Sequence, residues 1–271
     1  MSGASDTRLT GRALSVVDVP ARAGKPRERG LTIAADRGMG RNAQADLIEV
    51  AGDFIDVTKF AMGVARLLPP DLVRAKIVSY ESAGIPVFFA GEIFELAAMR
   101  GLAAQYFAAI RDLGGWGVEV SNAQVAMDPA AKVALIGMAR NAGLEVVAEC
   151  GRKGGIGWAD SGALVAAEIA ACLDAGAWRV LVQAEGLNED VPTPNDRLIG
   201  DLIARFGLER LIFQAKDSDL LSWFLTRFGS AISLDVDTDQ VLDLELRRRG
   251  LRKRGVFGMM AGDIETERKN G

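Results

Sequence analysis

The sequence predicts a single-domain α/β protein with the (β/α)8 TIM-barrel fold, and three observations lead to that prediction. The chain has 271 residues, close to the roughly 250 that eight strand-helix units need. Short β-rich runs alternate with longer segments of helical periodicity, which is typical of βαβ units around a parallel sheet. Over most of the chain, successive runs lie roughly 30 residues apart, the usual size of one such unit.

Eight β-rich runs occur in order, and most are apolar almost throughout, as expected of strands covered on both faces. Each run ends in or beside a polar residue or a glycine. The predicted strands are LTIAAD (31–36), FIDVTK (54–59), IPVFFAG (85–91), WGVEVS (116–121), LEVVAE (144–149), WRVLVQ (178–183), RLIFQA (210–215) and AISLDV (231–236).

Helical segments separate these strands, including 68–84, 91–115 and 128–143. An Ala-Gly pair precedes a strand in SAGIPV, NAGLEV and DAGAWR, which indicates a repeated helix-to-strand turn. A doubly wound open sheet is the structural alternative. It requires a glycine-rich dinucleotide turn after the first strand, and ADRGMGRNA fits that fingerprint poorly, so the barrel is favoured.

Composition narrows the domain organisation and the partners. Hydrophobic residues make up 49% and charged residues 25%, as in an ordinary globular protein. We predict a partly ordered leader (1–24), a catalytic barrel (25–258) and a tail (259–271). The net charge of −4 favours neither nucleic acid nor an anionic membrane as a partner. Two cysteines and no signal-peptide or membrane-length apolar run indicate a cytoplasmic protein, while a homo-oligomer remains open.

The candidate chemistry lies at the strand ends, where barrels of this kind form their active sites. The chain contains no histidine, so lysine and carboxylate side chains must move protons and bind metal. Any one strand-end carboxylate could instead cap a helix or form an ion pair, for example Glu149 with Lys59. Convergence at one layer favours a site, and the strand-end residues are Asp36, Arg37, Lys59, Glu119, Ser121, Glu149, Gln183, Gln214 and Asp235.

Three further features have competing interpretations. The segment GRKGGIGW (151–158) could cradle an anion with Arg152, Lys153 and backbone N–H groups, or form a surface loop; its place after a strand favours the cradle. The basic segment ELRRRGLRKRG (245–255) suggests nucleic acid, but a solvated helix end is favoured in an acidic protein. Cys150 has no histidine partner and is interpreted as a small buried hydrophobe.

Several motifs together resemble the phosphosulfolactate synthases of coenzyme M biosynthesis. The resemblance extends in order over about 25–258 and rests on KPRERGLTIAADRG, GDFIDVTKFAMG, GIPVFFAGEIFELA, GVEVSNA, LEVVAECGRKG and LELRRRGLRKRGVFG. It implies a lyase that adds sulfite to phosphoenolpyruvate with Mg²⁺, two small anionic substrates. In that pattern the matching positions are Asp36, Lys59, Glu95, Glu119, Ser121, Glu149, Gly151 and Lys153.

The resemblance also implies residue roles. Glu119, Glu149 and Asp36 would hold Mg²⁺, and Lys153 would deliver a proton to C2 of the intermediate. Lys59 and Glu149 join Lys153 as candidate catalytic residues. The candidate substrate-binding residues are Arg37, Arg152, Ser121, Gly151, Gln183 and Gln214.

Departures from the family pattern surround this set. The usual Asp-Lys-Gly after strand one reads Asp36-Arg37-Gly38, and Pro-Gly-Gly-Thr after strand three reads Phe-Ala-Gly-Glu, ending at Glu92. Ser-Asp-Gly after strand four reads Ser-Asn-Ala, and Gln183, Glu185 and Gln214 replace charged residues near strands six and seven. Two alternatives therefore stay open: a lyase for another small anionic enol or sulfonate, and a non-catalytic binding or stress-associated barrel.

Overall fold

Eight parallel strands close into a barrel in the computed structural model, which describes residues 6, 7, 9, 11–151, 158–185, 187, 188, 191 and 193–252. Each strand pairs with its neighbours in chain order, and the eighth pairs with the first, so the open-sheet alternative is wrong. The strands are β1 (Thr32–Asp36), β2 (Val57–Phe60), β3 (Val87–Phe89), β4 (Gly117–Val120), β5 (Glu145–Cys150), β6 (Arg179–Val182), β7 (Leu211–Gln214) and β8 (Leu234–Asp237).

Helices follow every strand and form the outer layer. They are α1 (Arg41–Ala51), α2 (Pro70–Ser82), α3 (Gly91–Met99), α4 (Ala103–Leu113), α5 (Pro129–Asn141), α6 (Trp158–Asp174), α7 (Asp196–Phe206), α8 (Ser218–Phe228) and α9 (Val241–Arg248). The predicted helix over 91–115 is wrong in one respect, because it is two helices. Gly101 has a φ of +68°, a left-handed conformation that ends α3.

The predicted Ala-Gly turns are confirmed. Gly84, Gly143 and Gly176 all have positive φ, at +68°, +78° and +97°. Glycine adopts this conformation without a Cβ penalty, and it reverses the chain from a helix end into the next strand. The same local device therefore starts β3, β5 and β6.

Alternation along the strands divides the barrel into an inner and an outer face, since successive side chains point to opposite sides. Inside, an apolar layer contains Leu31, Ile33, Val57, Phe88, Val147, Leu181 and Ile212, closed by Trp116 and Trp178. Outside, the strands pack on the helices in a larger apolar cluster, which includes the buried Cys150. The interpretation of Cys150 as a buried hydrophobe is consistent with this packing, and burial raises the pKa of its thiol.

Arginines from the end of α9 are buried at the amino-terminal end of the barrel. The guanidinium of Arg248 donates to Thr32 Oγ1 at 2.7 Å, to Leu31 O at 3.1 Å and to Ile232 O at 2.9 Å. Arg249 bonds Glu245, which also pairs with Arg22. The expected solvated helix end is therefore wrong for Arg247, Arg248 and Arg249, which are buried, and Arg248 satisfies backbone carbonyls that precede β1 and β8.

Two short segments, Asp6–Thr7 and Arg22–Ala23, pair as an antiparallel ribbon within the predicted leader. The predicted tail, 259–271, lies outside the described residues. Among the helices that the structure describes, each is too short or too polar to cross a membrane.

Candidate active site

A polar layer lies directly above the apolar layer inside the barrel. Stepping two residues from Val57, Val147, Leu181 and Ile212 reaches side chains with the same inward orientation. These positions hold charged or amide groups, and Glu119 on β4 and Asp235 on β8 complete the set. The layer consists of Lys59, Glu119, Glu149, Gln183, Gln214 and Asp235, all of them buried.

All residues of this layer except Asp235 line a cavity of about 210 Å³ at the carboxyl ends of the strands. The rim adds side chains from the loops that follow β1, β3, β6 and β7. The charged lining residues are Arg37, Lys59, Glu92, Glu95, Glu119, Glu149, Glu185 and Lys216. The cavity lies where the strand-end pattern predicts an active site.

Lys59 is the buried cation of the polar layer. Its Nζ contacts Asp235 Oδ2 and lies 3.9 Å from Glu119 Oε2. Burial on its own lowers the pKa of Lys59, but the charges of Asp235, Glu119 and Glu149 reverse that effect and raise the pKa above its ordinary value. Lys59 is thus a fixed positive charge rather than a group that exchanges protons near neutral pH.

Glu119 faces Lys59 across the cavity and also touches the start of α3. Its Oε1 accepts a hydrogen bond from Gly91 N at 2.9 Å. A Cβ on Gly91 would lie 2.8 Å from that oxygen, so glycine permits the approach. Burial raises the pKa of Glu119 to about 8, Glu149 adds to the rise, and Lys59 opposes it.

Glu149 is held on both of its oxygens. Gln183 Nε2 donates to Oε1 at 3.0 Å, and Oε2 lies 2.6 Å from the Ser121 hydroxyl, whose single proton it shares with Glu95. The Gln183 carbonyl in turn accepts from the backbone of Ala184 and Glu185, which fixes its amide orientation. Gln183 and Ser121 therefore orient Glu149 toward the cavity.

Asp36 lies apart from this group, contrary to the expectation that it joins the metal ligands. Its Oδ2 accepts from Lys76 Nζ at 2.7 Å and from Tyr80 OH at 3.0 Å, both on α2. Its Oδ1 accepts from the backbone of Gly38 and Met39. The reason is strand phase: Ala35 points into the barrel, so the next side chain must point toward the helices.

The structure describes three of the other predicted residues, Arg37, Gln214 and Gly151, but not Arg152 and Lys153. Arg37 lines the cavity at its rim, where it pairs with Asp237 at 2.8 Å, and Gln214 lies 3.4 Å from Asp235 Oδ2. Gly151 donates its N–H to Glu168 at 3.3 Å. Arg152 and Lys153 lie outside the described residues.

The sequence interpretation assigned no role to Glu92 and Lys216, which line the cavity, or to Asp235 of the polar layer. Asp235 is predicted at a strand end, and the two-residue alternation from Ser233 would have indicated that its side chain faces the barrel interior. Glu92 comes from the start of α3, and Lys216 follows β7. Their approach to the cavity depends on loop geometry, which a strand pattern does not predict.

The fit of a Mg²⁺ ion can be judged from the carboxylates. Glu119 Oε2 and Asp235 Oδ1 are buried, and neither has a hydrogen-bond partner in the described part of the chain. Across those same residues, no three acidic or cysteine side chains form a ready-made metal cluster. Protein sites for Mg²⁺ commonly supply one or two carboxylates and leave the rest to water and substrate oxygens. The residues fit an ion of that kind.

The sequence over residues 20–254 matches the family model described as (2R)-phospho-3-sulfolactate synthase (ComA). The chain belongs to this family. A phosphosulfolactate synthase of Methanothermobacter thermautotrophicus is 31% identical over 245 residues, covering 86% of this chain and 93% of that protein. The predicted resemblance is confirmed, and the family supports an enzymatic function of the phosphosulfolactate synthase kind.

One further relative and one structure with a similar fold complete the comparison. Protein HEAT-STRESS-ASSOCIATED 32 of Arabidopsis thaliana is 26% identical over 258 residues, covering 84% of this chain and 89% of that protein. A crystal structure of 2,3-dimethylmalate lyase superposes with a TM-score of 0.50 at 14% identity, covering 89% of this chain and 92% of that one. At that identity the second likeness concerns the fold alone.

The raised pKa of Glu119 is expected to make the protein less stable as the pH rises. Its pKa of about 8 exceeds the ordinary value of 4.5, so between these values the folded state keeps a proton that the unfolded state loses. Stability from this group therefore falls as pH rises through the window. We expect Glu119→Gln to raise the melting temperature relative to wild type more at pH 9 than at pH 5.

Thermal unfolding of both proteins at the two pH values measures this difference. The exposed Glu81 on α2 offers the matched control, because Glu81→Gln makes the same chemical change without burial. A gain from Glu119→Gln that is equal at both pH values would contradict the raised pKa.

Proposed function

We propose that the chain catalyses the Mg²⁺-dependent addition of sulfite to phosphoenolpyruvate, giving 2-phospho-3-sulfolactate. It would act as a lyase in the direction that forms a carbon–sulfur bond. The observation that carries the proposal is the family match over residues 20–254. The buried polar layer at the strand ends supports it, because a carboxylate-lysine cluster suits a reaction that builds negative charge beside a cation.

The reaction balances as an addition followed by one proton transfer. The sulfur lone pair of sulfite forms a bond to C3, and the C2–C3 π electrons move to C2 and into the substrate carboxylate. A proton then adds at C2 to give the product. When bound, Mg²⁺ supplies Lewis-acid stabilisation to the enediolate-like charge, and Glu119 and Glu149 are the residues that would hold it.

The other steps, charge stabilisation, substrate binding and proton donation, fall to side chains of the protein. Lys59 stays protonated, since Asp235 and Glu119 keep its pKa high, and it stabilises developing negative charge. Arg37 and Lys216 line the same cavity and would attract the two anions. Lys153 is the proposed proton donor to C2, and Arg152 and Gly151 are proposed to bind anionic oxygens from the following loop.

A different small anionic substrate is favoured by one observation. Among the described cavity residues, five carboxylates face three cations. Glu92 and Glu185 contribute to that excess and stand where the family pattern differs. Because repulsion disfavours highly charged anions, a related enol or sulfonate with less charge is the second candidate.

Product formation tests the proposal directly. Purified protein is incubated with phosphoenolpyruvate and sulfite, with and without Mg²⁺, and phosphosulfolactate is sought by mass spectrometry. We expect product only when all three components are present, and Lys153→Ala should abolish it. The absence of product from wild type would contradict this substrate pair. Product from other enols or sulfonates would support the second candidate, and binding without turnover would support a non-catalytic barrel.

A further inference from the structure

The first turn of α3 touches two neighbouring parts of the site. Gly91 N holds Glu119, as described above. One helical turn later, Glu95 is buried with 4% of its surface exposed. Its carboxylate reaches the segment that follows β4, residues 121–125, which we call the β4 loop. Residues four apart lie on one helix face, so both contacts come from the same side of α3.

Glu95 accepts three backbone hydrogen bonds from the β4 loop and also contacts the Ser121 hydroxyl. Its Oε1 lies 2.5 Å from Ser121 Oγ and 3.1 Å from Ala123 N. Its Oε2 lies 3.1 Å from Gln124 N and 2.9 Å from Val125 N. A loop whose backbone N–H groups converge on one buried carboxylate is held in a single conformation, because each N–H would otherwise lose its acceptor.

Ser121 extends this contact to the reacting group. Its hydroxyl lies between Glu95 Oε1 at 2.5 Å and Glu149 Oε2 at 2.6 Å. The spacing leaves little freedom for Ser121, since Gly91 packs so closely that an added Cβ would lie 2.5 Å from Ser121 Cβ. The position of Glu149 is thus coupled to α3 through one hydroxyl.

We propose that Glu95 is a positioning residue that holds the β4 loop and, through Ser121, sets the orientation of Glu149. The inference rests on the proposed function only in that Glu149 belongs to the reacting site. Glu95 lines the cavity wall, but both of its oxygens face the loop. Its effect on the reaction is therefore exerted through Ser121 and Glu149.

An amide replaces this carboxylate only in part. Each oxygen of Glu95 faces at least one backbone N–H, so either orientation of a glutamine side chain points an NH₂ group at a donor. In Glu95→Gln, at least one amide among residues 123–125 loses its hydrogen bond to residue 95, and Ala123 N keeps Ser121 Oγ at 3.1 Å as a second acceptor. The prediction is faster hydrogen exchange there, by about tenfold or more, because local opening becomes easier.

Hydrogen-deuterium exchange on the full chain, without substrate, measures this effect. Glu81→Gln is the matched control and should exchange as wild type does in the β4 loop. Ser121→Ala removes the link to Glu149 but keeps the three backbone bonds to Glu95. We expect the amides of Gln124 and Val125 to stay protected in that variant. Glu95→Ala removes the Glu95 acceptor from all three amides, and exchange equal to wild type in that variant would overturn the proposal.

Steady-state kinetics separate positioning from a purely structural role. Both Glu95→Gln and Ser121→Ala should lower kcat by about 10- to 100-fold, with KM for phosphoenolpyruvate little changed. A folded Glu95→Gln enzyme with wild-type kcat would also overturn the proposal. A wild-type protein that forms no product would overturn the proposed function alone, because the exchange result is obtained without substrate.

Discussion

Replacing Lys59 with methionine is expected to destabilise the protein by about 3–5 kcal/mol and to lower product formation at least about 10²-fold. Methionine is unbranched and one atom shorter than lysine, and it removes the charge. Asp235 Oδ2 and Glu119 Oε2 then lose the cation that both contact. Urea unfolding followed by tryptophan fluorescence measures the first effect, and the phosphosulfolactate assay measures the second.

A double variant separates lost charge pairing from lost packing. In Lys59→Met with Asp235→Asn, the buried carboxylate that lost its partner is also neutralised, so part of the stability should return. Activity should not return, since the positive charge is still missing. Wild-type resistance of Lys59→Met to urea would contradict the view of Lys59 as the buried charge partner of the cavity.

Replacing Arg248 with alanine is expected to cost about 3–5 kcal/mol at the opposite end of the barrel, through unsatisfied acceptors and a cavity. The side chain is fully buried and donates to Thr32 Oγ1 and to the carbonyls of Leu31 and Ile232. Its removal leaves those acceptors unsatisfied and opens a cavity between β1 and β8. Arg248→Lys should recover little, because an ammonium cannot match the guanidinium fork.

Urea unfolding again provides the measurement. Arg197, whose side chain is 93% exposed, supplies the control, and Arg197→Ala should change stability by no more than about 0.5 kcal/mol. If Arg248→Ala unfolds at the same urea concentration as Arg197→Ala, the arginine run does not stabilise the closure of the barrel.

The fold was predictable because one unit repeats eight times. Every predicted strand overlaps an observed one, and the Ala-Gly turns use the conformation that glycine allows. The helix break at Gly101 was missed because a single glycine within a helical pattern does not reveal its own φ. The arginine run was misjudged as solvated because sequence alone does not show which carbonyls need donors.

The sequence predicts which residues form the polar layer of the candidate site, but not their contacts. Lys59, Glu119 and Glu149 converge as strand-end reasoning predicts, together with Ser121, Gln183 and Gln214. The side chain of Asp36 was expected inside the barrel but points outward. Ile33 and Ala35 point inward, so strict alternation would have predicted an outward side chain at the next residue. The contacts of Glu95 could not be read from spacing, because its partners lie 26 to 30 residues away in the β4 loop.

The buried arginines and the polar layer occupy opposite ends of the same strands, separated by about 15 Å for a strand of five residues. The contacts that close the barrel between β1 and β8 are therefore separate from the residues at the cavity rim. Rim residues such as Glu92 and Glu185 can vary while that closure stays intact.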